Sequence, residues 1–213
     1  DHRDLHSFPT RRSSDLYNEF KELTPEEISD SLRSIKKSAK NLFELLENLL
    51  NWSRLQTGSM QYSPELFSVK GLFDLLQEMY IMSAFNKEIE LVFNCNTKMT
   101  FFADRNMLLT ALRNLISNAI KFTPRKGKIE VTAIKQNNNL TITVKDTGIG
   151  MSMEQIDKVF NIESSFTTLG TEREEGTGLG LILVKELVEK DKGQLVVNSK
   201  IGNGTVFTLQ FNT

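Results

Sequence analysis

Two glycine-rich stretches about thirty residues apart constrain this chain more than any other feature in it. The first is Lys145-Asp146-Thr147-Gly148-Ile149-Gly150-Met151, and the second is Glu175-Gly176-Thr177-Gly178-Leu179-Gly180-Leu181-Ile182. Leu140-Thr141-Ile142-Thr143-Val144, just ahead of the first, alternates apolar and polar residues and predicts a strand. The residues from Leu181 to Val188, just after the second, predict a helix. A strand that ends in a carboxylate and two glycines sets a hydrogen-bond acceptor beside a backbone with no side chains in the way. A glycine run that opens a helix offers unpaired N–H groups and the positive end of the helix dipole, which suits phosphates. Together they predict one nucleotide site, with the base at Asp146 and the phosphates at Gly176, Thr177, Gly178, Leu179 and Gly180. On the glycine pattern alone, a flexible loop ahead of a helix is an equal alternative. No G-x-x-x-x-G-K followed by Ser or Thr is present, and no strand runs directly into the second stretch, so neither of the two commoner phosphate loops fits.

Upstream, Thr24-Pro25-Glu26-Glu27 is a helix start, with Thr as N-cap, Pro at the first helical position and Glu at the third. Ile28, Leu32, Ile35, Ala39, Leu42, Leu46 and Leu49 follow at spacings of 4, 3, 4, 3, 4 and 3. That is the 3.5-residue seam of a helical bundle, and Thr57-Gly58 is its expected end. From about Ser63 the pattern changes. Phe67 to Val69 reads as a short strand, Leu72 to Tyr80 as a helix, and Ile89 to Cys95 with Met99 to Ala103 as a strand pair. Asp104 caps a helix running to about Lys121. Lys128 to Lys135 and Leu140 to Val144 are strands turning at Asn137-Asn138-Asn139. A short helix covers Met153 to Val159. The chain closes with a helix to about Lys190 and a hairpin, Gln194 to Ser199 and Thr205 to Phe211. This order predicts an α+β fold, a mixed sheet with helices packed on one face, preceded by a long bundle-forming helix.

The helix after Asp104 is the second informative stretch. Asn114, Asn118 and Lys121 fall at i, i+4 and i+7 and share one face, opposite Leu108, Leu112, Leu115, Ile116 and Ala119. Asn is a mediocre helix former, so two stacked on one face need a reason. One reading is a solvated outer face. The other is an uncharged oxygen ligand for a hard cation such as Mg²⁺, with a lysine for phosphate.

Five ordered motifs carry a resemblance. Asn114-x-x-x-Asn118-Ala-x-Lys121-Phe122, Asp146-x-Gly148-x-Gly150, Phe160, Gly176-Thr177-Gly178-Leu179-Gly180 and Gly202-Asn203-Gly204-Thr205 resemble the N, G1, F, G2 and G3 boxes of sensor histidine kinases. The resemblance covers roughly residues 24–213. It implies the catalytic ATP-binding domain of such a kinase in the Bergerat two-layer fold shared by gyrase-, Hsp90- and MutL-type ATPases. The upstream helix, ending Asn48-Leu49-Leu50-Asn51-Trp52-Ser53-Arg54, resembles the second helix of the dimerisation and phosphoacceptor hairpin. That implies residues 17–58 as hairpin and 63–213 as catalytic domain. By the same resemblance Asp146 accepts the adenine amino hydrogen and Thr205 completes that contact. Asn118 binds Mg²⁺, Asn114 sits beside metal and phosphates, and Lys121 contacts phosphate. Phe122 and Phe160 pack near the site or simply in the core. The polar segment Asn161 to Glu175 is the expected ATP lid. The implied cofactors are ATP and Mg²⁺. The implied partners are a second copy through the hairpin helix and a response regulator receiver domain.

There are departures. Leu169 stands where related lids often carry a lysine, and Asp191-Lys192-Gly193 replaces the commoner H-G-G. Residues 1–16 hold both histidines, His2 and His6, with Pro9 close behind and no sustained period. This string resembles the translation of sequencing-adapter read-through and is excluded from fold reasoning, a natural tail being the alternative. His2-Arg3-Asp4-Leu5 only superficially echoes an H-D-L-R-type box, so the phosphoacceptor histidine is expected to be absent and self-phosphorylation with it. The net charge of −1 gives no electrostatic reason for a nucleic-acid partner. Cys95 is the single cysteine, which excludes an internal disulfide. With no apolar run long enough to span a bilayer, a cytoplasmic location is expected, an upstream membrane anchor being compatible with it. Two other function classes fit the motifs: a protein-serine kinase of the anti-sigma type, against which the heptad helix speaks, and an ATP-sensing interaction module.

Overall fold

The computed structural model describes residues 24–137, 139–161, 168–172, 174 and 178–212. The adapter-like string 1–16 therefore lies outside the described residues. So does much of the expected lid, with Glu175, Gly176 and Thr177. The chain divides into two compact units, residues 1–43 and 44–213.

Helix α1, Pro25–Gln56, begins as its capping residues dictate. The Glu27 amide donates to Thr24 Oγ1 at 3.3 Å, and the Thr24 amide donates back to Glu27 Oε2 at 2.8 Å. It ends at Gly58, whose φ of +68° is the left-handed stop glycine allows most cheaply. Most of its apolar seam is exposed: Leu32, Ile35, Leu42, Leu46 and Leu49 all face solvent. No helix among the described residues is long and apolar enough to cross a membrane.

In the second unit, strand β1 (Glu65–Ser68) leads into helix α2 (Val69–Asn86), and Ser68 caps it by accepting from the Gly71 amide. Strands β2 (Glu90–Asn94) and β3 (Thr100–Ala103) precede helix α3 (Arg105–Phe122), capped by Asp104. Strands β4 (Lys128–Gln136) and β5 (Asn139–Asp146) lead to the short helix α4 (Met153–Val159). Helix α5 (Gly180–Lys190) and strands β6 (Gly193–Ser199) and β7 (Thr205–Phe211) close the chain.

Five strands form one mixed sheet in the order β2-β4-β5-β7-β6; β1 and β3 form a separate antiparallel pair. The expected pairing of β2 with β3 does not occur. β2 runs parallel to β4, with Leu91 level with Ile129 and Phe93 level with Val131. β3 instead takes Phe67 of β1 opposite Phe101, both buried. The short Asn96 turn between β2 and β3, closed by Met99 N donating to Asn96 O, sends the chain away from the sheet rather than back along its edge.

The rest of the sheet is antiparallel, and its register stacks apolar rows on one face. Val131, Val144, Phe207 and Val197 are neighbours across four strands, and Ala133, Ile142 and Leu209 are neighbours across three. Against this face pack Leu72, Phe73 and Leu76 of α2, Leu108, Leu112, Leu115 and Ile116 of α3, and Val184 and Val188 of α5. The opposite face carries Thr132, Thr143 and Thr208, so the sheet has one dry side and the layers number two. A smaller cluster joins Met107, Leu183 and Leu187 to Leu55 and Met60.

Candidate nucleotide site

β5 is paired on both edges through Lys145, so its last residue is carried into the interior. That residue is Asp146, 5% exposed. Its Oδ1 accepts from the Gly148 amide at 2.8 Å and from the Thr205 amide at 3.1 Å, and among the described residues its second oxygen accepts nothing. Burial raises the pKa of the carboxyl, and the two amide bonds work against that rise by favouring the anion.

The glycines here are steric requirements. A methyl on Gly148 would meet Phe122 O at 2.6 Å and Asp146 Oδ1 at 2.7 Å. Gly204, at φ +80°, would drive a methyl into Asp146 O, and Gly150, at φ +67°, into Lys200 O. Ile149 N donates to Phe122 O, and Gly202 N donates to Ile149 O. The turn after β5 is thereby pinned to the end of α3 and to the β6–β7 turn. Ser199, which nothing in the sequence pattern singles out, gathers three strands' ends. Its Oγ accepts from Met151 N at 2.8 Å, bonds Thr205 Oγ1 at 2.8 Å and donates to Gly204 O at 3.0 Å.

The N-box residues lie on α3. Asn114 donates from Nδ2 to Thr110 O at 2.9 Å, which turns its Oδ1 toward Gly180; a methyl on Gly180 would lie 2.8 Å from that oxygen. The helix faces of α3 and the start of α5 thus meet at Asn114 and Gly180, 66 positions apart in the numbering. Among the described residues no side-chain cap closes the start of α5 at Leu179, in contrast to α2, α3 and α4. Gly178, at φ +72°, precedes it. Asn118, one turn along from Asn114, is half-buried, and its side chain holds no hydrogen bond to any described residue. Lys121 Nζ donates to Thr168 O at 3.2 Å and lies 4.7 Å from the centroid of the Phe122 ring. Phe160 ends α4 and packs, partly buried, on the main core. Of the sequence-predicted site, Gly176 and Thr177 lie outside the described residues. Lys87, which the sequence reading passed over, is buried beside the end of α3. A lone lysine after an apolar helix carries no signal that would have found it.

The arrangement is a buried, amide-held carboxylate at one end and two helix faces with small residues between them at the other. A sequence model of the family described as "Histidine kinase-, DNA gyrase B-, and HSP90-like ATPase" matches residues 103–213. The sensor protein SrrB of Staphylococcus aureus is 29% identical over 186 residues, which is 87% of this chain and 32% of that protein. The chain thus spans about a third of the length of the sensor proteins it matches. Among solved structures, full-length ShkA in complex with AMPPNP is similar at a TM-score of 0.69 and 26% identity, covering 89% of this chain and 39% of that one. Histidine kinase ThkA in complex with response regulator protein TrrA is similar at 0.70 and 22%, covering 93% and 55%. With a family match over more than half its length, on the residues that build the buried acceptor and the two helix faces, the chain belongs to the histidine kinase-, DNA gyrase B- and HSP90-like ATPases.

Proposed function

We propose that this chain is the ATP-binding catalytic region of a sensor histidine kinase. It transfers the γ-phosphoryl of Mg-ATP to a histidine on a dimerisation hairpin, from which a response regulator receiver domain takes it. Residues 17–58 are a remnant of that hairpin, with α1, Pro25–Gln56, as its second helix, and residues 63–213 are the catalytic domain. A reaction that draws on ATP sets this region in the cytoplasm. The observation that carries the reading is Asp146, buried at the end of a central strand with its Oδ1 fixed by two amides. Its second oxygen is suited to accept the amino hydrogen of adenine, where guanine would present a carbonyl. The kinships to SrrB, to a nucleotide-bound ShkA and to a ThkA–TrrA complex support the wider assignment.

Asn118 fits a metal ligand, because its amide is half-buried and unspent on any described residue, and amide oxygen suits Mg²⁺. When bound, Mg²⁺ would neutralise charge on the phosphate oxygens. Asn114, Lys121 and the glycines before α5 hold the triphosphate. The transfer itself needs no nucleophile from this domain: a hairpin imidazole nitrogen attacks the γ-phosphorus, and the bond to the bridging oxygen of ADP breaks. Catalysis is positioning and charge neutralisation. For these 213 residues alone we expect binding without self-phosphorylation, since His2 and His6 lie where the sequence has no helical period.

The test is transfer in trans. With γ-labelled Mg-ATP and an intact histidine hairpin, acid-labile phosphate should appear on the hairpin and none on this chain. Acid-stable phosphoserine would favour the serine-kinase class, and nucleotide binding with no transfer would favour a sensing module. Asn118→Ala should weaken Mg-ATP binding and leave adenosine binding in EDTA unchanged; equal loss of both would remove the metal assignment.

A further inference from the structure

Lys87 follows α2 and is 4% exposed. A buried ammonium is unfavourable unless every proton finds an acceptor. Here all three do: Nζ donates to Ile120 O at 2.8 Å, to Lys121 O at 3.0 Å and to Glu174 Oε1 at 2.8 Å. The first two acceptors are carbonyls of the last turn of α3, where a cation offsets the negative end of the helix dipole. Capping alone would require no more. The third acceptor comes from a segment 87 positions further on, between the two glycine stretches.

That segment is fastened to the same helix end by further bonds. Thr171 donates from its amide to Lys121 O at 3.0 Å, and from Oγ1 to Lys121 O at 3.1 Å and Thr123 O at 3.2 Å. Gly170 N donates to Glu174 O at 2.8 Å, and Glu172 N donates to Glu174 Oε2 at 2.8 Å. Arg125 pairs with Glu172 at 2.9 Å and with Glu88, next to Lys87, also at 2.9 Å. Burial alone would raise the Glu174 pKa, but the bond from Lys87 and the backbone amides outweigh it and hold the carboxylate below its ordinary value. One buried cation thus joins the residue that carries the Lys121 side chain to the stretch leading into Gly178 and Gly180.

We propose that Lys87 is a positioning residue for the triphosphate end of the site. It acts through Lys121 and Glu174, and its protons, all used within the protein, leave none for the nucleotide. The base end stands apart from it: Asp146 is held by Gly148 and Thr205, and no bond of Lys87 reaches either. The inference rests on the nucleotide reading above, in which the phosphates lie between Lys121 and Gly178–Gly180.

Two variants separate the outcomes, Lys87→Met, which keeps length and loses charge, and Glu174→Gln, whose site is part-exposed and tolerant of the change. Mg-ATP affinity by calorimetry and adenosine affinity by NMR titration are measured on each, in the full chain. Both variants should lose about tenfold in Mg-ATP affinity, the low end for removing a hydrogen bond to a charged group, with adenosine affinity unchanged. The double variant should be no weaker than Lys87→Met, because the two act through one bond. Unchanged Mg-ATP affinity in Glu174→Gln, or equal loss of adenosine and Mg-ATP, would overturn the proposal, the second outcome marking a merely structural lysine. Should Lys87→Met fail to fold, Glu174→Gln decides alone. A wild-type chain that binds neither ligand would overturn the nucleotide reading itself, and this inference with it.

Discussion

At Asp146 burial and hydrogen bonding oppose each other, and burial wins. The folded carboxyl has a pKa above its ordinary 3.8, so ionising it weakens the fold. Its share of stability is greatest at low pH, falls as pH rises from the ordinary value to the raised one, and is level above that. On the proposed reading, ligand binding runs the other way, because the adenine amino group would need the anion. Adenosine affinity should therefore fall on acidification at a higher pH than an ordinary carboxylate would allow. Asp146→Asn should remove that pH dependence and weaken ATP binding by about 1.5–3 kcal/mol, the range for hydrogen bonds to charged groups. GTP should bind much more weakly than ATP to the wild type. Calorimetric titration across pH with the three ligands checks all of this; equal ATP and GTP affinity would remove the base assignment.

At the scale of elements, caps decide where helices begin and what they hold. Asp104 Oδ1 accepts from the Asn106 and Met107 amides, both at 3.0 Å, and its Oδ2 accepts from the Ser63 amide at 2.9 Å. One side chain therefore starts α3 and also ties down the segment that follows α1. Lys190, at the end of α5, holds the same segment by donating to Met60 O at 2.8 Å. Tyr62 lies near the carboxylates of Asp191 and Asp104, and desolvation first, then the Asp191 carboxylate, push its phenol up to about 12. It stays protonated until strongly alkaline pH, and whatever it adds to stability is lost between its ordinary value of 10 and about 12. Asp104→Ala should lower thermal stability by about 2 kcal/mol, the upper part of the range for a lost N-cap, because a second tie goes with the first. Asp104→Asn, which keeps acceptor oxygen, should lose less. Thermal unfolding of the two variants gives the comparison, and equal losses would show that the cap geometry is not what matters.

Over the whole molecule, the apolar row of α1 stands out as exposed among the described residues. Leu32, Ile35 and Leu42 are each about 60% exposed, and Phe43, Leu46, Leu49 and Leu50 add to them on the same helix. Apolar rows of that length drive association. The chain should self-associate at micromolar concentration, and Leu42→Lys with Leu49→Lys should return it to a monomer while leaving nucleotide affinity intact. Light scattering after size-exclusion chromatography reads the outcome; a monomeric wild type would contradict it.

Local chemistry is what the sequence carries on its face. Thr24-Pro25 and Asp104 start their helices because capping is a matter of the next three residues, and Met153–Val159 is helical as expected, closed by a Ser152–Gln155 capping box. The same holds for the order of the boxes and for Asp146 as the acceptor at a strand's end. Alternation also marked Leu140–Val144 as a strand, which lies within β5. It could not tell which strand lies beside which: β2 and β3 are joined by a short connector, yet β2 pairs with β4 across 33 intervening residues, 95–127. Pairing depends on which apolar rows complete a common face, and that is known only when all the strands are in place. The meeting of Asn114 with Gly180, the threefold role of Ser199 and the burial of Lys87 against Glu174 are likewise contacts between remote positions. No local pattern encodes them, because each becomes favourable only once the surrounding core has excluded water.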